Sequence, residues 1–227
     1  MRNGSPMKRN TVLLVLLPGG FTLLELLIAV TILGVLVTML FGAIGKAKEF
    51  AWRAQSRHDV LQIVSAVNAY YAEYSAYPIP PEQSGTEVSF TTDNSELFNA
   101  LRDLPLGRNA DHALNPRQVN FIQIPNASNS GNPRSGLAHG CWYDPWGPQP
   151  GKAESGVYHI RLDGSYQGRV TDPYPGHDDD DDNDSESRGR KPSEEDAAVI
   201  HTGVIVWSLA KGGVQTYKLV DQIVSWK

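Results

Sequence analysis

A glycine pair, an aromatic residue and a single carboxylate stand at the start of a long apolar stretch, PGGFTLLELLIAVTILGVLV at residues 18–37. Residues 21–41 are long enough to cross a bilayer, which takes about 20 apolar residues. The junction between Gly20 and Phe21 lies before this stretch, whereas an ordinary secretory signal is cut after its apolar core. Cleavage at this junction leaves the apolar helix on the mature chain and creates a charged amine at Phe21.

Glu25 is the acidic residue inside the apolar stretch. A lone carboxylate at membrane depth is costly unless it is paired or reaches water, although the first turns of a helix favour negative charge. The new amine at Phe21 is a natural partner, about 6 Å away by helix rise within one chain. Between chains, the Phe21 amine of an incoming copy would neutralise Glu25 of its neighbour. We therefore predict Phe21 and Glu25 as assembly residues; the alternative is a Glu25 side chain that only reaches the membrane surface.

The order Gly20-Phe21-Thr22-Leu23-Leu24-Glu25 before an apolar helix resembles the class III leader junction of type IV pilins and type II secretion pseudopilins. The resemblance implies cleavage after Gly20 by a prepilin peptidase and N-methylation of Phe21 by the same enzyme. Two departures stand out. The leader contains the apolar run TVLLVLLP at 11–18, and Gly42 occupies a place where many members have proline.

Basic residues before the apolar stretch predict its orientation. Arg2, Lys8 and Arg9 favour an N-terminus that stays in the cytoplasm, with the rest of the chain on the other side. With the resemblance, this implies a single-pass protein of the bacterial inner membrane with a periplasmic globular domain.

Helical periodicity continues beyond the apolar stretch and predicts an α+β fold. Val60, Val64, Val67, Tyr71 and Tyr74 recur at spacings of four and three, and the prolines after Tyr77 end the pattern. We expect a long N-terminal helix packed on a small C-terminal antiparallel sheet. The expected parts are a leader peptide (1–20), a transmembrane and assembly helix (21–45), an amphipathic helix (46–76) and a periplasmic globular domain (77–227).

Strand and turn patterns follow in the later part of the chain. Most of residues 82–140 resembles loop, with a short helix at 95–104 that has Ser95 as its N-cap. A tyrosine cluster on the long helix is typical of core packing rather than of a ligand cage, and the turn YDPWG at 143–147 places Trp146 to fold back onto the core. Three strands are predicted at 156–162, 203–209 and 214–220, the last two joined by a hairpin at Gly212 and Gly213.

The net charge of −5 is unevenly distributed. Residues 172–196 carry eleven acidic and three basic side chains, a net of −8, so the rest of the chain is weakly basic. Like-charge runs are usually solvated loops, with loose calcium binding as the alternative. No basic stripe with interleaved aromatic residues appears, so we expect no nucleic-acid partner. The single cysteine, Cys141, cannot form an internal disulfide and is predicted to be a small buried side chain.

The order of the later motifs is similar to that of the major pseudopilin of type II secretion. Tyr77-Pro78 is followed by DPWG at 144–147 and DQIVSW at 221–226. Members of this kind hold calcium in the last loop, and the resemblance gives Ser208 and Asp221 as candidate ligands. Gly212 stands where the family has an aspartate, and Lys211 adds a cation beside it. Calcium is therefore the one cofactor considered.

Catalytic motifs are missing from the sequence. The histidines form no metal-binding pair, and there is neither a nucleophile elbow nor a phosphate loop, so we expect no enzyme. The resemblance implies a structural subunit of a periplasmic pseudopilus, a helical homopolymer. Its partners would be other pseudopilins, a prepilin peptidase and the inner-membrane assembly platform. The alternative is a type IV pilin or minor pilin with an adhesive or DNA-uptake role.

Overall fold

The computed structural model describes residues 20–152, 154, 156–173, 199–210 and 223–225, without the side chains of residues 42, 43, 223 and 224. The chain divides into two compact units, Met1–Ala47 and Lys48–Lys227. One helix, α1 (Leu23–Tyr74), contributes residues to both units. Small antiparallel sheets follow it, which confirms the predicted α+β fold class.

The helix α1 ends where the sequence predicts. No proline interrupts Leu23–Tyr74, and Ser75 then adopts a left-handed φ of 53° while its N–H donates to Tyr71 O at 2.7 Å. This geometry closes the last turn, and the Tyr77-Pro78 pair that follows cannot continue the helix.

In the second unit, α1 buries a stripe that includes Val60, Ile63, Val67 and Tyr70, each at most 3% exposed. These positions are spaced by three and four residues and so lie on one helix face. The sequence pattern had placed Tyr71 on that face, which is wrong: Tyr71 is 40% exposed. Tyr70, one position earlier, is the tyrosine that enters the core, where its hydroxyl donates to Leu114 O.

A four-stranded antiparallel sheet packs against this helix stripe. Its strands, in spatial order, are β1 (Val88–Phe90), β4 (His159–Leu162), β7 (Val204–Ser208) and β8 (Ile223–Val224). The central strands β4 and β7 are rich in β-branched residues, as strands usually are. Side chains alternate between the two faces: Ile160 and Val206 join the core under α1, and Ile205 and Trp207 join a second cluster with Val170.

Two short ladders and one further helix complete the described part of the chain. The ladders pair β2 (Gly136–Ala138) with β3 (Cys141–Tyr143) and β5 (Val170–Thr171) with β6 (Val199–Ile200). The helix α2 (Ser95–Leu101) buries Leu97, Phe98 and Leu101 in the main core, and 3-10 turns occupy Pro81–Gln83 and Gly107–His112.

Three expectations about these later elements need correction or lie outside the structure. Ser95 is the first residue of α2 and not its N-cap, because Asn94 holds the N-cap position while its side chain bonds Trp142 N (3.0 Å) and Tyr158 O (2.8 Å). The stretch read as loop contains β2 and the 3-10 turn Gly107–His112. The predicted strand at 214–220, the hairpin at Gly212 and Gly213, and most of the acidic window lie outside the described residues.

The turn after β3 confirms the predicted aromatic plug, since Trp146 is only 4% exposed. Asp144 organises this turn: its Oδ1 accepts from the backbone N–H groups of Trp146 (3.0 Å) and Gly147 (2.8 Å). Its Oδ2 accepts from Ser208 Oγ at 2.7 Å, which ties the turn to the end of β7. Gly147 is required here, because its φ is +67° and an added Cβ would lie 2.6 Å from Pro133 O.

Burial raises the pKa of Asp144 to about 6, although the donors Ser208, Gly147 and Trp146 act in the opposite direction. An unfolded aspartate titrates near pH 4. Between these values the native chain keeps a proton that the unfolded chain has released. The stability that comes from this proton is therefore complete below about pH 4 and is lost as the pH rises through about 6.

We predict that Asp144→Asn removes this pH dependence. Asparagine still accepts from the Trp146 and Gly147 N–H groups and can donate to Ser208 Oγ. Relative to the native chain, the variant should gain up to about 3 kcal/mol in free energy of unfolding between pH 4 and pH 7, from roughly two pKa units at 1.36 kcal/mol each. Denaturant unfolding of residues 46–227 at several pH values measures this difference.

His159 serves as an internal check on that measurement. Burial lowers the pKa of His159 to about 4, so its contribution has the opposite sign and is lost as the pH falls from about 6.5 through 4. Because His159 is present in both chains, its effect cancels in the comparison. If the difference in free energy of unfolding between the native and Asp144→Asn chains does not vary with pH, Asp144 has the same pKa in the folded and unfolded states, which would contradict the prediction.

Candidate assembly site at the start of α1

Thr22 caps the N-terminus of α1. Its Oγ1 accepts from the backbone N–H of Glu25 at 3.2 Å, and its carbonyl accepts from the N–H of Leu26 at 3.1 Å. A threonine in this position satisfies one of the donors that every helix leaves open in its first turn. The spacing Thr-x-x-Glu is the recognised sequence signal of a capping box, so this role of Thr22, which was not predicted above, has a local signal in the sequence.

Glu25 occupies the third helical position, N3, of that capping box. Its carboxylate lies in the first turn, where the N–H groups and the helix dipole favour negative charge. The helix dipole therefore favours the negative charge of Glu25 locally, besides the predicted contact between chains. A glutamine at this position is a residue that capping boxes accept at N3, but it lacks the charge.

The described apolar stretch of the first unit has exposed side chains. The large hydrophobic residues from Leu23 to Phe41 are all 39% or more exposed. A contiguous apolar surface of this kind is far larger than monomeric soluble proteins tolerate. Among the described residues, α1 is the one helix that is long and apolar enough to cross a membrane. The stretch therefore requires a cover, either lipid or other protein.

The polar side chains within this stretch differ in how they are satisfied. Thr31 Oγ1 donates to Ile28 O at 2.7 Å, and Thr38 Oγ1 donates to Val35 O at 2.8 Å. Such bonds to the preceding turn hide a hydroxyl inside its own helix. Glu25 is different: within the part of the chain that the structure describes, no side chain forms an ion pair or hydrogen bond with its carboxylate. Between residues 23 and 41, the helix thus presents one unneutralised charge on an otherwise apolar surface.

The residues at the predicted cleavage junction are accessible. Phe21 is 70% exposed, and Gly20 lies just before the helix cap. A Cβ added to Gly20 would meet no atom within 4 Å. The described residues therefore place no demand for glycine at position 20.

Of the two candidate calcium ligands, Ser208 and Asp221, the structure describes only Ser208. Ser208 is fully buried, and its hydroxyl both donates to Asp144 Oδ2 and accepts from the Ala210 N–H at 3.2 Å. A hydroxyl used in this way does not fit a calcium ligand. Asp221 lies outside the described residues. Over the described ranges, no three His, Cys, Asp or Glu side chains come together as a metal-binding group.

A carboxylate–imidazole pair appears that the sequence analysis overlooked. His112 Nδ1 lies 2.5 Å from Asp103 Oδ1, in two loops that adopt positive φ at both residues. Such a pair can orient a proton acceptor when a nucleophile contacts the second ring nitrogen. In the described part of the chain no such nucleophile bonds His112, so the pair serves to join the two loops. Cys141, as predicted, is buried, and burial raises its thiol pKa to about 11.

Comparison with known proteins adds two matches. Residues 19–41 match the prokaryotic N-terminal methylation motif. The type II secretion system core protein G of Dickeya chrysanthemi is 31% identical over 84 residues, which cover 37% of this chain and 55% of that protein. The chain thus spans about half the length of this curated relative. No solved structure matches the chain significantly.

The methylation motif covers the residues that the site geometry singles out, from the exposed junction through the capped helix start and the apolar surface. The similarity to a secretion core protein and the α+β layout agree with it. The chain is therefore similar to proteins with the N-terminal methylation motif over residues 19–41, and to a type II secretion core protein over 84 residues.

Proposed function

We propose that this chain is a structural subunit of a periplasmic pseudopilus of a type II protein secretion system. The observation that carries the proposal is the unneutralised carboxylate of Glu25 on the exposed apolar surface of α1. The relative in Dickeya chrysanthemi, a core protein of such a system, supports the choice of this system. The subunit is anchored in the bacterial inner membrane, with its N-terminus cytoplasmic before cleavage and its globular domain periplasmic.

In this proposal the apolar surface of α1 is buried in two different ways, before and after assembly. Before assembly, lipid covers the stretch, and Glu25 raises the cost of that state because a charge at membrane depth is poorly solvated. After assembly, neighbouring helices replace the lipid, and the methylated Phe21 amine of one copy neutralises Glu25 of another. The charge pair can form only when neighbouring helices are in the correct register. In that register it makes the assembled state more favourable than the state in lipid.

The Phe21–Glu25 contact also has the symmetry that a fibre needs. Its two halves are different groups, so each subunit offers one half at each contact. Such heterologous contacts repeat without closing when the rotation does not return to its start. Besides copies of itself, the proposed partners are other pseudopilins, a prepilin peptidase that cleaves after Gly20 and methylates Phe21, and the inner-membrane assembly platform.

A type IV pilin or minor pilin with an adhesive or DNA-uptake role remains the alternative function. The same Phe21–Glu25 contact would serve its assembly. The partial match to a type II secretion core protein favours the pseudopilus.

We predict that the mature chain begins at Phe21 with a methylated amine and that Gly20→Ala blocks processing. Position 20 has open space among the described residues, so we expect any loss of processing to arise in the peptidase. Mass spectrometry of the N-terminus decides the matter. A mature N-terminus elsewhere, or normal processing of Gly20→Ala, would contradict the prediction.

We predict that Glu25→Gln and Glu25→Leu both abolish most fibre assembly while leaving membrane insertion intact. Removal of a charge should ease insertion, whereas the docking partner of the Phe21 amine is lost. Cross-linked or sheared fibre is measured at equal amounts of processed membrane protein.

Glutamine and Thr22 variants separate docking from helix capping. Glu25→Gln can still complete the capping box, so fibres from this variant but not from Glu25→Leu would assign Glu25 to capping alone. Thr22→Ala removes the cap hydrogen bond at a cost of about 1 kcal/mol, with Thr22→Ser as its matched control. Thr22→Ala is expected to assemble far better than either Glu25 variant.

Calcium is proposed to bind the last loop only weakly, since Ser208 is committed to Asp144 and Asp221 is left as the candidate ligand. A site of millimolar affinity adds about 0.4 kcal/mol at 1 mM calcium. That amounts to a melting shift of roughly 1–2 °C for residues 46–227 between EDTA and 1 mM calcium. A large shift that Asp221→Ala abolishes would refute weak binding, and one that survives Asp221→Ala would move the metal elsewhere.

A further inference from the structure

A half-open cleft of about 230 Å³ lies in the second unit, lined by Glu49, Trp52, Arg134, Trp146 and Gln149. Sites for small molecules and cofactors usually measure about 300–1,000 Å³. The cleft is smaller than that range, so it suits a protruding protein side chain better than a cofactor.

Two indoles form its apolar walls. Trp52 and Trp146 meet edge to face, with ring centroids 6.2 Å apart and an interplanar angle of 74°. Trp146 Nε1 donates to both carboxylate oxygens of Glu49, at 3.1 and 3.3 Å, and Arg53 Nε lies 3.2 Å from Glu49 Oε1. The acid that lines the cleft is therefore already neutralised.

Positive charge in the cleft is not balanced in the same way. Lys48 Nζ lies 4.7 Å and the Arg134 guanidinium carbon 5.8 Å from the Trp52 ring centroid. Across the described ranges, neither cation forms an ion pair. Arg134 interacts electrostatically with Asp144, but the oxygens of that carboxylate already accept three hydrogen bonds. The guanidinium thus keeps donors for a further carboxylate.

The turn after β3 fixes the position of Arg134. Gly147 lets the arginine stem lie directly on the turn, since a Cβ there would come within 2.7 Å of Arg134 Cγ. At the other end, the guanidinium lies over the Trp52 ring within the distance of a cation–π contact. A guanidinium oriented in this way binds a carboxylate through two parallel hydrogen bonds more readily than a mobile cation does.

We propose that this cleft binds an aspartate from the acidic run Asp178–Asp182 of a second copy of the chain. The proposal rests on the proposed fibre. The acidic window at 172–196 holds a net charge of −8 against −5 for the whole chain, so the matching charge lies within the same sequence. A non-closing fibre requires two different and complementary patches on each subunit, which the cleft and the acidic run supply. The contact adds a second polar pair to that of Phe21 with Glu25.

Charge reversal in the full-length chain tests the contact. Arg134→Glu is one variant, and replacement of Asp178–Asp182 by lysine is the other. Each alone should reduce cross-linked fibre about fivefold or more, because a repulsive contact recurs at every subunit. Arg108→Glu is the control: it reverses the charge of an exposed arginine paired with Glu82, a surface bond of little energetic value. The control should assemble normally.

Co-expression of the two variants decides between copies. If the contact joins two chains, the carboxylate introduced by Arg134→Glu in one variant meets the lysine run of the other. The native Arg134 of the lysine-run variant likewise meets the native acidic run of the first. Mixed fibres should then form. A double variant carries Arg134→Glu and the lysine run in the same chain. If the cleft and the acidic run meet within one chain, only this double variant assembles, and the proposal is overturned.

Other outcomes are equally decisive. Normal assembly of Arg134→Glu, or of Arg134→Gln, overturns the contact. The contact is also overturned if neither the co-expressed pair nor the double variant forms fibres while the Arg134→Gln chain melts as the native chain does. If either combination does form fibres, its variants must fold. Absence of fibres from the native chain would count against the proposed function instead, so the two failures can be told apart.

Discussion

The apolar stretch of α1 at residues 23–41, which carries the single carboxylate of Glu25, is the constraint on which the rest of this protein depends. Apolar burial is non-directional and nearly proportional to area, so the exposed surface of α1 binds lipid or neighbouring helices at many registers with similar energy. In the proposed fibre, Glu25 removes that degeneracy, because its charge is tolerated only where a cation or water reaches it. Thr31 and Thr38 do not compete for this role, since their hydroxyls already bond their own helix.

The second unit meets a different requirement, namely to remain folded by means of its own core. Its core lies between one stripe of α1 and the central strands β4 and β7, while the Asp144 turn joins the end of β7 to the cleft. Asp144 is a fully buried carboxylate with three donors, and such a group is strongly destabilising once a donor is lost. We infer that this turn tolerates little movement, which suits a surface that must hold Arg134 and Trp146 in place.

How much of this could be predicted from sequence depends on the range of each interaction. The limits of α1, the core positions of Val60 and Val67, and strands β4 and β7 follow from local periodicity and proline placement. The predicted core position of Tyr71 and the predicted N-cap role of Ser95 were wrong for the same reason, because long-range partners determine which residue takes each place. The sheet selects the neighbouring helix stripe with Tyr70, and Trp142 and Tyr158 recruit Asn94 to the cap position. The cap at Thr22 was predictable, because its signal is a four-residue spacing.

The cleft is a feature that could not be predicted from the sequence. Glu49 and Trp52 lie on α1, whereas Arg134 and Trp146 come from loops more than 80 residues later, and no periodic signal connects them. The acidic run, by contrast, is obvious in the sequence but has no meaning until a complementary surface is known. Polar contacts of this kind add modest affinity yet penalise wrong registers strongly, because a misplaced like charge or an unpaired charge is costly. A polymer built mainly on a non-directional apolar surface gains most from such contacts, since they select one helical register among many of similar hydrophobic energy.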